Sequence, residues 1–386
     1  MTEKEQNNET LNKDFKEPKI RFREFKNSWK YENLESLVSI HARIGRQGLK
    51  QNEQLDFGDI YLITGTDFKD GLINFKTSKY VSEFRYNQDK NIQLKNDDIL
   101  ITKDGTLGKV AIIRDLSKKA TLNSGIYRIR IKDLDKVCPN YLYQYLAAPF
   151  LLDFAGKTSI GGTIKHLNQS QIIKFPIPLT ILAEQQKICD FLAKLDFKLS
   201  FVNNKISILK KYKEGILLRI KRKNNYYIKL GQICDTYQPK TIPRKSFNKN
   251  GQFPVYGANG IIGWYDEYNH EYEQIIVGCR GNCGSIQLTR KKSRINGNAM
   301  VIKPKHELNI NYLYYLLQCV RFDKLVEKSG VPQITCNKIK ELKIPLVSNQ
   351  EIFELLIRLD SKIDALSNKL SKISHLKKFF LKNLFI

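Results

Sequence analysis

The sequence predicts an α+β protein in which two tandem globular domains are each followed by a long α-helix. Three features of the 386 residues lead to this fold class. One order of sequence elements occurs twice, short apolar runs alternate with Gly and Asn turns, and each copy ends in a long apolar stripe with helical spacing. Strands mixed with segregated helices favour α+β domains over a parallel doubly wound sheet.

The repeat divides the chain into five segments. A polar lead over residues 1–17, which we expect to be flexible, contains no apolar stretch that resembles a secretory signal. The first globular domain follows over 18–179, and the central long helix over 180–225. The second globular domain covers 226–346, and the C-terminal long helix covers 347–386.

The globular parts of the two copies match in outline. Each has an apolar pair near its start, a Gly-containing turn, a Tyr- and Leu-rich helical segment, a short Gly-containing stretch and an Ile-Pro-Leu tripeptide. The paired segments are Leu34 and Leu37 with Leu230 and Ile233, Asp104 to Lys109 with Arg280 to Ser285, Asn140 to Leu146 with Asn311 to Leu317, Gly162-Thr163-Ile164 with Gly330-Val331-Pro332, and Ile177-Pro178-Leu179 with Ile344-Pro345-Leu346. We expect each tripeptide to end a strand, with a helix beginning a few residues later.

Each tripeptide precedes a long amphipathic segment. The apolar positions of the two segments coincide at one offset of 164 residues, as Leu192 and Leu356 show, and Asp196 and Asp360 coincide as well. Spacings of three and four residues form a coiled-coil stripe, so we expect the helices to pack against each other or a partner rather than each on its own domain. The predicted coiled-coil residues are Leu192, Leu195, Leu199, Val202, Ile206, Leu209, Leu356, Leu359, Ile363, Leu366, Leu370 and Ile373.

The chain carries a formal net charge of +26, from 65 Lys and Arg against 39 Asp and Glu. A surplus of this size indicates a polyanionic partner, and nucleic acid is the first candidate. An anionic membrane surface is the alternative, but the most apolar stretch, Phe379 to Ile386, is too short to span a bilayer and is interrupted by Lys382. Seven cysteines at irregular spacing indicate a reducing cytosol, so we expect a cytoplasmic protein.

Two related basic domains held apart by a stiff helix would contact DNA at two places a fixed distance apart. A helix of about 35 to 40 residues spans roughly 55 to 60 Å, the length of roughly 16 to 18 base pairs. Because the side chains of the two domains differ, we expect two different half-targets, unlike the palindromes that symmetric dimers read. The alternative is a coiled-coil scaffold that does not read DNA, for which the charge would be incidental.

Loops that combine cations with glycine are the candidate DNA-binding elements. Cations bind phosphates, Arg and Asn pair with guanine and adenine edges, and Gly allows the backbone to approach closely. The alternative for each loop is an ordinary solvated turn, and an aromatic residue among the candidates suits the core equally well. The candidates are Arg43, Arg46, Lys103, Thr106 and Lys109 in the first domain and Lys240, Arg244, Lys245, Tyr256, Asn259, Arg280 and Asn282 in the second.

The motifs of catalytic and metal-binding proteins are missing from the sequence. A DNA adenine methyltransferase would carry a Pro-Pro-aromatic motif, but the chain has no Pro-Pro pair, and an ATP motor would have Gly where Lys103 stands. Cys279 and Cys283 have no second pair of ligands nearby to complete a zinc site. We therefore expect no catalytic residue, no metal and no cofactor in this chain.

A self-contained nuclease is the strongest enzyme alternative, since Glu341-x-Lys343 with Asp323 upstream could hold a metal. The repeat argues against it. The first copy has Lys174 and Pro176 at the corresponding positions, in a strand that leads to the tripeptide. We therefore favour a solvent-exposed face over a nuclease centre.

The twofold order of variable domain, Ile-Pro-Leu and long helix resembles the specificity subunits of type I restriction–modification systems. The resemblance extends from about residue 18 to the end of the sequence. The residues that carry it are Arg21-Phe22-x-x-Phe25-x-x-x-Trp29, Ile177-Pro178-Leu179 with Glu184-Gln185, Phe253 to Gly263, Ile276 to Gly281, Asn296 to Met300, and Ile344-Pro345-Leu346 with Gln350.

The resemblance implies that each globular domain is a target-recognition domain and that the two helices form an antiparallel coiled coil with pseudo-twofold symmetry. It implies double-stranded DNA, two modification subunits with adenine methyltransferase activity, and restriction subunits as partners. S-adenosylmethionine, ATP and Mg would then be used by those partner subunits. The second copy departs from the pattern at Leu346 to Gln350, which is shorter than Leu179 to Gln185, so we expect a less regular helix entry there.

Overall fold

The computed structural model describes residues 18–44, 48–158, 167–223, 226–305, 308–327, 332–347 and 349–385. They form two compact units. Unit 1 comprises the described residues up to Phe201 and those from Leu370 onward, and unit 2 comprises those of Val202–Lys369. Each unit therefore contains one globular domain and a part of both long helices. The predicted lead over 1–17, Arg46, Gly162-Thr163-Ile164 and Gly330-Val331 lie outside the described residues.

Unit 1 is built mainly from short strands. They are β1 (Lys30–Asn33), β2 (Val38–Ala42), β3 (Ile60–Ile63), β4 (Phe68–Lys69), β5 (Leu72–Ile73), β6 (Lys79–Tyr80), β7 (Ile99–Thr102), β8 (Val110–Ile112), β9 (Lys119–Leu122), β10 (Ile126–Ile131) and β11 (Pro176–Leu179). Its helices are α1 (Leu34–Leu37), α2 (Glu83–Asn87), α3 (Pro139–Ala147), α4 (Phe150–Thr158), α5 (Gln169–Ile172) and the first half of α6 (Leu182–Lys223). Pro139 starts α3, where its missing N–H leaves no helical hydrogen bond unmade.

Three sheets organise unit 1. The largest has the strand order β2-β10-β7-β8-β5-β4, the second has β6-β3-β9 with β3 parallel to β9, and the third pairs β1 with β11. Buried Ile99 and Ile101 of the large sheet share a core with Tyr141 and Leu142 of α3 and with Leu192 of α6. The sheet and the start of the long helix are therefore held by one apolar core.

Unit 2 repeats this order of elements. It contains β12 (Tyr227–Lys229), α7 (Leu230–Ile233), β13 (Cys234–Tyr237), β14 (Phe253–Gly257), β15 (Gly260–Tyr265), β16 (Ile275–Gly278), β17 (Ile286–Leu288), β18 (Arg294–Ile295), β19 (Ala299–Pro304), α8 (Ile310–Gln318), α9 (Cys336–Lys340), β20 (Lys343–Pro345) and α10 (Gln350–Phe385), whose last part belongs to unit 1. Asn309 caps α8, since its side-chain oxygen accepts hydrogen bonds from two N–H groups of the first turn.

The sheets of the two units correspond in every strand except β4 and β5, which extend the large sheet of unit 1. The order β13-β19-β16-β17 matches β2-β10-β7-β8, and β15-β14-β18 matches β6-β3-β9, including its one parallel pair. Tyr31 pairs with Pro178 in unit 1, as Tyr227 pairs with Pro345 in unit 2. The predicted fold class of two tandem α+β domains is confirmed.

Parts of α6 and α10 pack side by side in each unit. In unit 1 the start of α6 lies against the end of α10, where the ring centroids of Phe191 and Phe380 are 4.7 Å apart. In unit 2 the end of α6 lies against the start of α10, and Ile220, Phe353 and Leu356 share one core. The helices are therefore antiparallel in each unit, as predicted. All twelve predicted coiled-coil residues are buried or half-buried. Leu192, Leu195 and Leu356 also belong to the cores of their own globular domains, so the expectation that neither helix packs on its own domain is wrong for the start of each helix.

An Asp–Lys pair joins the two helices in unit 1. Lys377 Nζ of α10 donates to Asp196 Oδ1 of α6 at 2.5 Å. Gln144 of α3 donates its side-chain N–H to the other oxygen of the same carboxylate at 2.9 Å. The Asp196 carboxylate thus connects three helices at one point.

The same junction occurs at the equivalent positions of unit 2. Lys213 Nζ of α6 donates to Asp360 Oδ1 of α10 at 2.7 Å, and the hydroxyl of Tyr315 of α8 donates to Asp360 Oδ2 at 2.8 Å. Burial, together with the hydrogen bond to the carboxylate, raises the pKa of Tyr315. The coincidence of Asp196 and Asp360 in the sequence therefore marks a junction that the fold uses twice.

Candidate DNA interface

The β7–β8 loop of unit 1 and the β16–β17 loop of unit 2 have the same backbone hydrogen bonds. We call residues 103–109 loop 1 and residues 279–285 loop 2. The bonds are Thr102 N–H to Lys109 O at 3.0 Å and Gly108 N–H to Thr102 O at 2.9 Å in unit 1, and Gly278 N–H to Ser285 O and Gly284 N–H to Gly278 O, each at 2.8 Å, in unit 2. The sequence analysis paired the same two segments, Asp104 to Lys109 with Arg280 to Ser285.

Two glycines at equivalent positions shape each loop. The φ angles are +70° at Gly105 and +72° at Gly108 in loop 1, and +78° at Gly281 and +88° at Gly284 in loop 2. Residues with a Cβ pay about 1–2 kcal/mol for this left-handed conformation. A Cβ placed on Gly105 or Gly281 would meet no described atom within 4 Å. The backbone conformation alone requires these two glycines, and the tip of each loop is open to an approaching ligand.

An Asn turn lies beside each loop, immediately before β10 and β19. Asn123 N–H donates to Ile63 O at 3.0 Å, and Asn296 N–H donates to Tyr256 O at 2.9 Å. Each Asn side-chain oxygen accepts the next backbone N–H, at 2.8 Å in unit 1 and 2.9 Å in unit 2. The bonds from the loops to these turns are Lys103 N–H to Gly125 O and Cys279 N–H to Asn298 O, each at 2.9 Å.

A third segment meets each loop from the end of β3 or β14. In unit 2 the side-chain oxygen of Asn259, in the β14–β15 turn, accepts a hydrogen bond from Asn282 Nδ2 at 2.8 Å. A Cβ at Gly278 would lie 2.6 Å from a carbonyl of that turn. In unit 1 a Cβ at Gly65 would lie 3.2 Å from Thr102 Cγ2. The three segments form one loop cluster in each unit.

Four of the predicted residues lie on neighbouring segments of the unit 2 cluster. Arg280 and Asn282 project from loop 2, and Asn259 is in contact with Asn282; all three are exposed. Lys240 is exposed on the segment that the side chain of Asn296 holds through two hydrogen bonds to the backbone of Ile242, at 2.9 and 3.2 Å. The cluster combines cations that suit phosphate or guanine with amides that suit adenine.

Three predicted residues lie on loop 1 of unit 1. Thr106 and Lys109 are exposed, whereas Lys103 is half-buried with its Nζ 5.3 Å from the centroid of the Tyr127 ring. Thr102 Oγ1 donates to the backbone oxygen of Thr106 at 2.5 Å and so holds the loop backbone. The Thr106 hydroxyl takes no part in this bond. Loop 1 thus has Asp104 and Thr106 at the positions where loop 2 has Arg280 and Asn282.

Two other predicted residues are inside their domains. Arg43 is 1% exposed and its Nε donates to Leu122 O at the end of β9, at 2.8 Å. Burial, and then the nearby cation of Arg85, lowers the pKa of Arg43. Tyr256 is 5% exposed and belongs to a small core with Ile276. The structure places both side chains away from the surface, because each binds or packs on a strand that is distant in sequence.

Arg244 and Lys245 lie in a separate place. They are exposed on a short 3-10 turn, Arg244–Ser246. The next residue, Phe247, packs so closely on Gly263 of β15 that a Cβ there would overlap its ring. These two cations therefore lie beside β15 and are not among the segments that meet loop 2.

The DNA-binding residues predicted from the sequence include neither Thr66 nor the Asn turns. Because Ile63 and Tyr256 accept equivalent hydrogen bonds, the third residues after them, Thr66 and Asn259, correspond, and Thr66 is exposed. The signal for the Asn turns was present in the sequence, since one Asn precedes β10 and β19 at the same distance in both copies. The sequence contained no such signal for Thr66, because the segments that contain Thr66 and Asn259 share no residue pattern.

The groups considered for metal chemistry have other partners. Among the residues that the structure describes, no cluster of three or more His, Cys, Asp or Glu could hold a metal ion. Burial raises the pKa of the Cys279 thiol to about 11, and Cys283 Sγ donates to Cys279 O at 3.4 Å. Glu341 forms an ion pair with Lys229 at 2.6 Å. Both cysteines and Glu341 therefore have partners within unit 2.

The family model of the type I restriction modification DNA specificity domain matches this chain twice, over residues 26–211 and 223–375. The chain belongs to this family. Each matched stretch includes one globular domain and most of the long helix that follows it. The repeat seen in the sequence is thus a repeat of specificity domains.

Several curated specificity subunits are similar in sequence. The type I restriction enzyme EcoprrI specificity subunit of Escherichia coli is 27% identical over 132 residues, which are 34% of this chain and only 33% of that protein. The MjaVIII specificity subunit of Methanocaldococcus jannaschii is 22% identical over 351 residues, 77% of this chain and 80% of that one. The putative MjaX specificity subunit of the same organism is 22% identical over 402 residues, 92% of this chain and 91% of that one.

The fold is also found among solved structures. The crystal structure of a type I restriction-modification S subunit from M. genitalium superposes with a TM-score of 0.67 at 18% identity, covering 96% of this chain and 99% of that chain. The likeness extends over both specificity domains and the long helices. Among the described residues, no helix combines the length and the apolar character needed to cross a membrane.

Proposed function

We propose that this chain reads a split, asymmetric DNA target, with the loop cluster of unit 1 on one half and that of unit 2 on the other. One observation carries the proposal. The two clusters share their backbone hydrogen bonds and their glycines, yet the exposed side chains at the loop tips differ: Thr106 in loop 1 corresponds to Asn282 in loop 2. Two loops with the same backbone conformation thus present different side chains, which is what the recognition of two different DNA sequences requires.

The exposed groups of the unit 2 cluster suit contacts with bases. Arg280 can pair with guanine through two parallel hydrogen bonds, and Asn282 or Asn259 with adenine. A good pair of this kind contributes about 1–3 kcal/mol of discrimination against the wrong base. In unit 1, Lys103 and Lys109 suit phosphate or guanine, and Thr106 suits several bases.

The chain itself would supply recognition and assembly rather than catalysis. We expect it to bind two modification subunits with adenine methyltransferase activity, which use S-adenosylmethionine, and restriction subunits, which use ATP and Mg, in the cytoplasm. Membership of the specificity family and the names of its relatives support this assignment. The 42-residue helix α6, about 63 Å long, has residues in both units.

Genome-wide mapping of methylated adenines tests the proposal. Cells that contain the chain and its modification subunit should show a split adenine motif that disappears when the chain is deleted. Replacement of residues 226–343 with the corresponding domain of another specificity protein should change one half of the motif only. Purified chain incubated alone with DNA, Mg and S-adenosylmethionine should neither cleave nor methylate it, and either activity would show that the chain is itself an enzyme.

A further inference from the structure

Unit 2 has a groove between the end of α6 and the start of α10. The groove encloses about 520 Å³, and its lining is largely apolar, with Tyr212, Ile216, Leu346 and Leu355 among the residues that form it. Leu346 is 40% exposed and Leu355 is 38% exposed. Exposed leucines on a concave surface are typical of a site that binds an apolar ligand or a protein segment.

The equivalent position in unit 1 is filled by the chain's own residues 18–28, which we call the N-terminal segment. Ile20 N–H donates to Asn383 O near the end of α10 at 3.0 Å. Phe22 packs edge to face on Phe191 of α6, with ring centroids 6.1 Å apart. Ile20 and Phe22 both pack against the core of unit 1. A short non-helical segment with an aliphatic and an aromatic side chain therefore covers this part of the helix pair.

The two grooves correspond residue by residue. The corresponding pairs are Phe191 and Leu355, Phe380 and Ile216, and Asn383 and Arg219, each at the offset of 164 residues, and also the tripeptide leucines Leu179 and Leu346. Leu179 is only 6% exposed, whereas Leu346 is 40% exposed. The same surface is thus covered in unit 1 and open in unit 2.

The chain gives unit 2 no counterpart of the N-terminal segment. In unit 1, residues 18–29 precede β1. In unit 2, α6 runs to Lys223 and β12 already begins at Tyr227, so the connection is far shorter than residues 18–29. None of the residues that the structure describes fills the unit 2 groove, so the described part of the groove is open to a segment of another molecule.

One charge beside the groove differs in sign between the two units. In unit 1, Lys187 pairs with Glu24 of the N-terminal segment at 3.1 Å. The residue of unit 2 that corresponds to Lys187 is Glu351, which is exposed, and Arg219 replaces Asn383. An occupant of the unit 2 groove would therefore carry a cation where the N-terminal segment has Glu24, and a carboxylate near Arg219.

We propose that the groove of unit 2 binds a short non-helical segment of a partner protein. The segment has an aliphatic residue, an aromatic residue two positions later, and Lys or Arg two positions after that. The first two features follow from the way Ile20 and Phe22 fill unit 1, and the third follows from Glu351. The chain's own N-terminal segment has the opposite charge at this position, so a second copy of this chain is a poorer occupant.

Two synthetic peptides test this proposal on the full chain. One has the sequence of residues 18–28, and the other carries Lys19→Glu and Glu24→Lys, which exchange the charges without changing the composition. In a fluorescence anisotropy titration, the charge-exchanged peptide should bind saturably and at least about threefold more tightly. Leu355→Glu in the groove should weaken this binding at least about tenfold. Leu218→Glu is the matched control, since Leu218 is 52% exposed on α6 and does not line the groove.

Three results would overturn the proposal: no saturable binding of either peptide, equal weakening by Leu355→Glu and Leu218→Glu, or tighter binding of the native-sequence peptide. The last result would assign the groove to the N-terminal segment of a second copy. Because the readout is peptide binding to the chain, the outcome is independent of the methylation map that tests DNA reading.

Discussion

The helix junctions and the loop clusters are both built twice, but the two copies are preserved in different ways. At the junctions the side chains themselves recur, since Asp196 and Asp360 each bind a Lys of the opposite helix. At the loops only the backbone and the glycines recur, and Thr106 corresponds to Asn282. Packing of two helices depends on particular side chains, whereas a glycine turn holds its shape with almost any exposed neighbour. The loops can therefore diverge in sequence without loss of the fold.

The largest expected effect concerns the part that the copies share. Leu192→Ala and Leu356→Ala each remove a side chain that is 0% exposed at equivalent positions of the two long helices. Each should reduce the free energy of unfolding of its own unit by about 2–5 kcal/mol, because each leaves a cavity. Urea unfolding with hydrogen exchange read separately in the two units measures this. A loss below about 1 kcal/mol in either unit would contradict the account of the helix pair.

The Asp–Lys junctions should have the second largest effect on stability. Asp196→Ala and Asp360→Ala each remove a partly exposed ion pair and a second hydrogen bond from α3 or α8. We expect each to cost about 1–2 kcal/mol, since solvent weakens the ion pair. Tyr315→Phe, which removes only one hydrogen bond, is the control and should cost about 0.5–1.5 kcal/mol. If the two Asp variants differed by more than about 1 kcal/mol in urea unfolding, the junctions would not be equivalent.

The loop glycines test whether the shared backbone conformation is required. Gly105→Ala and Gly281→Ala should each cost about 1 kcal/mol, because both glycines have positive φ and a Cβ would meet no steric contact with described atoms. The measurement is again urea unfolding with hydrogen exchange at each loop. A cost near zero at both positions would mean that the loops change conformation easily and do not share a fixed shape.

The exposed loop side chains should have the smallest effect on stability. Thr106→Ala and Asn282→Ala should change the free energy of unfolding by less than about 0.5 kcal/mol, since both side chains are exposed. Their effect should appear in DNA binding by the assembled methyltransferase, as relaxed preference for a base in one half-target. A destabilisation above about 1 kcal/mol would instead give these residues a structural role.

Most of the fold could be predicted from the sequence because its signals are local. Apolar runs predicted the strands, glycines predicted the turns, and the apolar stripes with helical spacing predicted α6 and α10. The burial of Arg43 could not be predicted, because the carbonyl it binds belongs to Leu122, which is distant in sequence. The sequence also showed that the segment between the tripeptide and the long helix is shorter in the second copy. In the structure α10 begins at Gln350. The open groove beside it depends on how two helices and a tripeptide meet, which the sequence does not show.

The prediction that the loop clusters lie at the DNA interface remains to be tested, whereas their equivalence is a property of the structure. Lys240, Asn259, Arg280 and Asn282 could be placed on neighbouring segments only by the fold, since they come from three segments that are separate in the chain. Composition and glycine content identified the loops, and tertiary contacts decide which side chains of each loop remain exposed.

The most direct test replaces the two residues beside Gly281, at the tip of loop 2, with the corresponding residues of loop 1. A variant with Arg280→Asp and Asn282→Thr, combined with its modification subunit, is mapped for adenine methylation beside an Arg358→Ala control, which changes an exposed cation on α10. We expect one half of the methylated motif to change, while the other half and the gap stay the same and the control motif is unchanged. An unchanged motif in the loop variant, or a change in both halves, would contradict it.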